Sequence, residues 1–303
     1  MSQKKSIYKC KKTQVSRPFR TFVVYIPHYM SSEKRKLGMI AGSGMMPTEI
    51  IRYCVAHQKE VFVIGLESFA NETNIGEAPH DFARMGEVGK ILKAFQKNGV
   101  QDIVLAGGIK RPSFKELIPD WEALKILSHL AFKKMSDDKL FRAVIDEIEG
   151  YGFKVLGIEE VVPEMLFSEG LYGKTKPSSE DRDDIERGVV VAKALGAVDV
   201  GQAVVVQEGM VLAVEAIEGT DMMLSRAAAV KKEGKAPVMV KVLKPGQDMR
   251  VDLPAIGLQT IEQLKKYGIK GIAVEAGGIL LIEREQVIKM ADEAGIFILG
   301  LKL

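Results

Sequence analysis

Residues 37–112 alternate short apolar runs with helical stretches, and that alternation constrains the fold more than any other feature of the chain. Leu37-Gly-Met-Ile-Ala41 reads as a buried strand, followed by Gly42-Ser-Gly44, Pro47 and a helical run over Thr48–Gln58. Val61–Gly65 is a second strand, Glu87–Asn98 a helix and Asp102–Ala106 a third strand. Strands separated by helices of about a dozen residues build βαβ units, which pair in parallel. Residues 121–151 read as helical and Lys154–Ile158 as a further strand.

The second half follows another pattern. Gly170–Asp184 is polar, and its Lys174–Glu180 core reads as a linker or an active-site loop; a helix over Asp184–Leu195 comes next. Strands are predicted at Gln202–Gln207, Met210–Ala216, Val238–Leu243 and Gly271–Glu275, and helices at Met222–Ala228 and Arg284–Ala294 before a last strand, Ile296–Leu301. Glu208-Gly209 favours a two-residue hairpin, because glycine accepts positive φ. The fold class is therefore α/β: a Rossmann-like parallel-sheet domain over 36–165, then a mixed α+β domain with antiparallel pairing over 166–303.

Charge is distributed unevenly. Residues 1–36 hold ten Lys or Arg against Glu33 alone, so the net +3 of the 303-residue chain conceals an acidic body. The first 35 residues are expected to be a disordered basic extension, and the body does not resemble a nucleic-acid binder. No run of 18 apolar residues exists to span a membrane. The two cysteines, Cys10 and Cys54, and the four histidines carry no ligand spacing, which argues against a zinc site and a disulfide framework.

Several constellations suit phosphate chemistry. Gly42, Ser43 and Gly44 link a strand to a helix, where glycines admit a phosphate and the helix start favours anions. The dinucleotide fingerprint is broken, because Pro47 stands where its last glycine belongs. Gly107 and Gly108 follow the third strand, with Lys110 and Arg111 behind them, so both glycine turns are expected to share one crevice beyond the strand ends. A tight turn is the plain alternative for each. Glu218, Thr220 and Asp221 end one strand and start a helix, where Thr220 or Asp221 can instead serve as N-cap. Glu215 and Glu275 fall on strands, where an unpaired buried carboxylate is costly. Carboxylates with few histidines suit Mg²⁺ better than zinc.

The run Lys244–Gly257 places Lys244, Gln247, Asp248, Arg250 and Asp252 among two prolines and two glycines. It reads as a shaped loop with a short strand over Met249–Leu253, putting Arg250 and Asp252 on one face. An arginine beside a carboxylate can hold a phosphate while the acid holds a metal or a water; a plain ion pair is the alternative. Met165, Leu166, Phe167, Met222, Met223 and Leu224 can line an apolar channel, although ordinary core is the default for such residues.

Taken together, residues 37–44, 106–112, 199–206, 214–221, 244–257 and 271–277 resemble the LpxI-type UDP-2,3-diacylglucosamine pyrophosphatase family of lipid A biosynthesis, in the same order from about residue 36 to the end. The resemblance implies a Mg²⁺-dependent hydrolase that cleaves UDP-2,3-diacylglucosamine to 2,3-diacylglucosamine 1-phosphate and UMP. It also implies a two-domain chain with ligand held between the domains, a possible homodimer, and a cytoplasmic or inner-membrane-peripheral enzyme in transient contact with lipid. Asp252 matches the family's essential aspartate. On that basis Asp252, Arg250 and Lys244 are the catalytic candidates, and Asp252, Asp221 and Glu218 the metal candidates. Gly42, Ser43, Gly44, Gly107, Gly108, Lys110, Arg111, Thr220 and Gln247 are the substrate-binding candidates. A non-catalytic sugar-nucleotide or lipid-phosphate binder and a nicotinamide oxidoreductase are the rival readings.

Overall fold

The computed structural model describes residues 35–109, 119–130, 137–250 and 253–303. The basic N-terminal stretch, Lys110, Arg111 and Asp252 lie outside the described residues. The first half runs β1 (Lys36–Ala41), α1 (Met46–Ala56), β2 (Val61–Leu66), α2 (Glu72–Ile75), β3 (His80–Ala83), α3 (Val88–Lys97), β4 (Val100–Ala106), α4 (Trp121–Leu130), α5 (Asp137–Gly150), β5 (Lys154–Leu156) and α6 (Ile158–Val161). The second half runs β6 (Gly170–Tyr172), α7 (Ser179–Ala197), β7 (Ala203–Gln207), β8 (Met210–Val214), α8 (Gly219–Val230), β9 (Val238–Lys241), β10 (Ala255–Ile256), α9 (Leu258–Tyr267), β11 (Gly271–Glu275), β12 (Leu280–Leu281), α10 (Arg284–Ala294) and β13 (Phe297–Leu301).

The first sheet has the order β3-β2-β1-β4-β5, all parallel. The chain winds outward from β1 to β3, returns, and winds the other way through β4 and β5. The reversal between β1 and β4 is the switch point at which open parallel sheets bind ligands. Both faces are covered, as a parallel sheet requires. Leu37, Met39 and Ala41 point to the α1 side with Ile50 and Cys54, whereas Ile40 points to the α3 and α5 side with Phe95 and Ile145. Gly38 has no side chain because a Cβ there would lie 2.7 Å from Val100 and 2.9 Å from Phe95. That close approach buries Phe95 completely, worth about 2–3 kcal/mol of apolar transfer.

The second sheet has the order β6-β13-β11-β9-β7-β8. Antiparallel pairing holds at both sides, through β6 and through the β7–β8 hairpin, but the central β9, β11 and β13 are parallel. Their near-continuous apolar runs, buried on both faces, are what parallel strands need. Helix α7 covers one face closely: a Cβ on Gly188 would reach Val240 at 2.5 Å. Helices α8, α9 and α10 cover the other face with Met223, Leu224, Ile261 and Val287. Met165, Phe167, Met223 and Leu224 are thus core, while Met222 is exposed.

Three sequence expectations need correction. The polar segment 170–184 is shorter as a loop than expected, because β6 occupies its start and α7 begins at Ser179. The cause is a capping box: Ser178 Oγ accepts from Asp181 N at 3.2 Å and Asp181 accepts from Ser178 N at 2.7 Å. No strand forms at Met249-Arg250, which make a turn; the extended segment comes later, at β10. Neither Thr220 nor Asp221 caps α8, since Glu218 takes the N-cap position without a side-chain bond.

The β7–β8 hairpin turns through Glu208 and Gly209, with φ of 48° and 76°. Buried Asp184 on α7 accepts from both turn amides, at 2.9 Å from Glu208 N and 2.6 Å from Gly209 N. Asp184→Ala leaves two turn donors unpaired. It is expected to cost about 2 kcal/mol, a fall of roughly 4–8 °C in melting temperature, checked by calorimetry.

Candidate active site

The two glycine turns at the switch point close on each other. Ser43 and Gly108 exchange reciprocal backbone bonds, each 2.9 Å, and Ser43 Oγ donates to the Gly108 carbonyl at 2.8 Å. A Cβ on Gly42 would lie 2.6 Å from Gly108 O, and one on Gly107, at φ 94°, would lie 2.6 Å from Ser43 O. Glycine is therefore required at both positions by the opposite turn's backbone, and the two turns lie against each other at the strand ends. Asn74, which sequence reasoning missed, braces this edge: its Nδ2 donates to Gly42 O at 3.1 Å and Gly44 O at 3.3 Å. Its only sequence signal is the Asn71–Asn74 capping box that fixes α2.

A second edge lies at the carboxyl ends of β9 and β11, where β7 begins and β8 ends. The loop that follows β9 is fastened at many points. Val242 N donates to Gln202 O at 2.9 Å, and Leu243 N donates to the Glu275 carboxylate at 3.0 Å. Lys244 Nζ bonds Asp199 at 3.1 Å. Helix α5 reaches the same loop: Arg142 donates to Gly246 O at 3.1 Å and stands 4.0 Å from Asp248. Arg250 pairs with Asp248 through two bonds, 3.0 and 2.8 Å, and lies 3.6 Å from Glu149 of α5. The Arg250 guanidinium holds the Asp248 carboxyl below the usual range against the opposing effect of burial.

The metal candidates are not brought together among the described residues. Glu218 is ion-paired with Arg226, and Asp221 accepts from Gln259 Nε2 at 2.8 Å. Among the described residues no cluster of three or more His, Cys, Asp or Glu forms. Thr220 instead joins a buried network. Its hydroxyl donates to Glu215 Oε1 at 2.5 Å and accepts from Lys241 Nζ at 3.3 Å. Glu215 Oε2 accepts from Gln202 N at 3.3 Å, so the buried carboxylate is hydrogen-bonded on both oxygens. Lys241 was not singled out from sequence, although it is a lone cation in the apolar run 238–243.

Glu159, at the start of α6 beyond β5, is also unassigned by sequence. Its carboxylate fills the space a side chain at Gly157 would need, and Oε2 is buried without a hydrogen-bond partner. Burial pushes its carboxyl up, a bond to its own backbone amide pulls it down, and the charges of Glu160 and Asp248 push it up further. A carboxyl raised above its ordinary 4.5 binds more protons folded than unfolded, so its contribution to stability declines as pH rises through that range. Glu159→Gln is therefore expected to be more stable than wild type at neutral pH, the gain vanishing below about pH 4. Urea melts across pH check this; a gain independent of pH would refute it.

Two family models match the chain: the LpxI N-terminal domain over residues 36–165 and the LpxI C-terminal domain over 168–299. UDP-2,3-diacylglucosamine pyrophosphatase LpxI of Caulobacter vibrioides is 42% identical over 273 residues, covering 88% of this chain and 97% of that protein. The two family models span both glycine turns, the Glu215–Thr220–Lys241 network and the loop after β9. The chain belongs to the LpxI family.

Proposed function

We propose that this chain hydrolyses the diphosphate of UDP-2,3-diacylglucosamine to UMP and 2,3-diacylglucosamine 1-phosphate, a step of lipid A biosynthesis. The observation that carries this reading is the 42% identity to the Caulobacter pyrophosphatase along nearly its whole length. The geometry supports it. Both sheets present loops at carboxyl edges, and the loop after β9 carries Lys244, paired with Asp199, and Arg250, paired with Asp248. Hydrolysis of a diphosphate needs its charge neutralised, a directed water and a held leaving group. In this reading Asp252 directs the water or holds the cation, Lys244 and Arg250 steady phosphate oxygens, and Gln247 contacts the substrate. Gly42, Ser43, Gly44, Gly107 and Gly108, with Lys110 and Arg111 following in sequence, are the further substrate-binding candidates of this reading.

Mg²⁺ belongs to the proposal. Such an ion is commonly held by one or two carboxylates together with substrate phosphates rather than by an all-protein cage. Asp221, whose carboxylate has only a side-chain amide partner among the bonds described, fits that donor chemistry better than Glu218, which Arg226 neutralises. When bound, the ion neutralises phosphate charge.

The substrate's two acyl chains place it in a bilayer. Among the described residues no helix is long and apolar enough to cross a membrane. Val198, Val200 and Ile217, on turns beside the second edge, and Met222, on the first turn of α8, are exposed instead. The turns adjoin, because Gly201 abuts the Glu215 backbone. This rim is the proposed lipid contact of a cytoplasmic, peripheral enzyme.

Purified protein with UDP-2,3-diacylglucosamine is expected to release UMP with Mg²⁺ and to stop with excess EDTA, and folded Asp252→Ala is expected to lose at least about 100-fold in rate. Normal turnover by that variant would remove Asp252 from the mechanism. Ile217→Asp combined with Val198→Asp is expected to weaken flotation with phospholipid vesicles while leaving hydrolysis of detergent-dispersed substrate intact. Unchanged flotation would place the lipid contact elsewhere.

A further inference from the structure

The loop after β9 is built from two turns in succession. Lys244 to Gln247 form the first: Gln247 N donates to Lys244 O at 3.3 Å, Pro245 takes the second place, and Gly246, at φ 76°, takes the third, where a type II turn needs positive φ. Asp248 makes the second turn, its carboxylate accepting from Arg250 N at 3.1 Å while it also takes the Arg250 guanidinium. Bonds inside the turns give the loop its shape, but its place over the sheet is set from outside. Arg142 of α5 meets both turns: Nη2 donates to the Gly246 carbonyl at 3.1 Å, and Nε lies 4.0 Å from Asp248. Its charge adds to that of Arg250 in holding the Asp248 carboxyl down. Glu149, on the same face of α5 two turns further on, stands 3.6 Å from Arg250. The Arg142 side chain is 54% exposed, and an ion pair so open to water contributes little to stability. What a guanidinium supplies in such a place is direction, because its planar fork can engage two groups at once.

We propose that Arg142 is a positioning residue for the hydrolysis: from the first half of the chain it sets the place of the loop 244–250 in the second, and with it Lys244 and Arg250. This role rests on the proposed reaction but fails separately from it, because the order of the loop is read without turnover. The measurement is kcat and KM for UDP-2,3-diacylglucosamine in wild type, Arg142→Met, Arg142→Lys, Arg250→Met and the variant carrying both Arg142→Met and Arg250→Met, with melting temperatures and amide hydrogen exchange over 244–250. Arg142→Met is expected to melt within about 2 °C of wild type. Its Gln247 and Arg250 amides are expected to exchange faster, and its kcat/KM to fall about tenfold or more. Arg142→Lys, which keeps the charge without the fork, is expected to recover part of that loss. Because Arg142 acts through the loop, adding Arg142→Met to Arg250→Met is expected to cost less than about threefold further.

Unchanged kcat/KM in folded Arg142→Met overturns the proposal, since the loop then needs no brace. A double variant that loses the full product of the two single losses overturns it as well, because Arg142 then acts independently of Arg250. Unchanged exchange over 244–250 in Arg142→Met does the same whatever the activity. Faster exchange in a protein that releases no UMP refutes the reaction and leaves the brace standing.

Discussion

The molecule depends on a constraint common to its two sheets: parallel strands end together, and the loops leaving them must satisfy one another's backbone groups. At the first sheet the solution is the Ser43–Gly108 bridge, where two turns exchange amide bonds in space that only glycine leaves open. At the second sheet side chains do the same work. Glu215 accepts from Gln202 N and Glu275 from Leu243 N, and Thr220 Oγ1 links Lys241 to Glu215. The candidate site residues that the structure describes lie near one of these two edges.

Much of the first half was legible because its signals are local. Apolar runs punctuated by glycine marked β1, β2 and β4 to within a residue or two, and their spacing dictated parallel pairing. Helix α10 was bounded by its own periodicity and by Gly295 at its end. Helix α9 passed unassigned, although Leu258, Ile261 and Leu264 share a face and Gly268 closes it in a left-handed conformation. Proximity to the Pro- and Gly-rich run obscured that periodicity.

The site was legible as a set of segments and not as a set of contacts. Sequence placed Thr220, Lys244 and Arg250 at loop positions, but the partners that define their chemistry are distant in the chain: Lys241 for Thr220, Asp199 for Lys244, Glu149 for Arg250. Asn74 and Glu159 act through tertiary packing alone. Such relations come from which strands are neighbours in the sheet, and the β9–β11 adjacency is set by long-range burial, which no local pattern encodes.

The small β10–β12 pair has a further consequence. Leu280 is buried in the same cluster as Met39, Ile50 and Val104, joined by Leu253, Ala255 and Ile282, and Leu166 bridges to Leu280 by backbone pairing. Residues of the second half thus complete the apolar layer under α1. The two halves are, for the polymer, a single cooperative object: severing the chain near residue 166 strips a face of the first sheet of its cover. Heat or denaturant should then melt both sheets in one transition, so a lesion in either edge is felt at the other through shared stability, with no signalling route required.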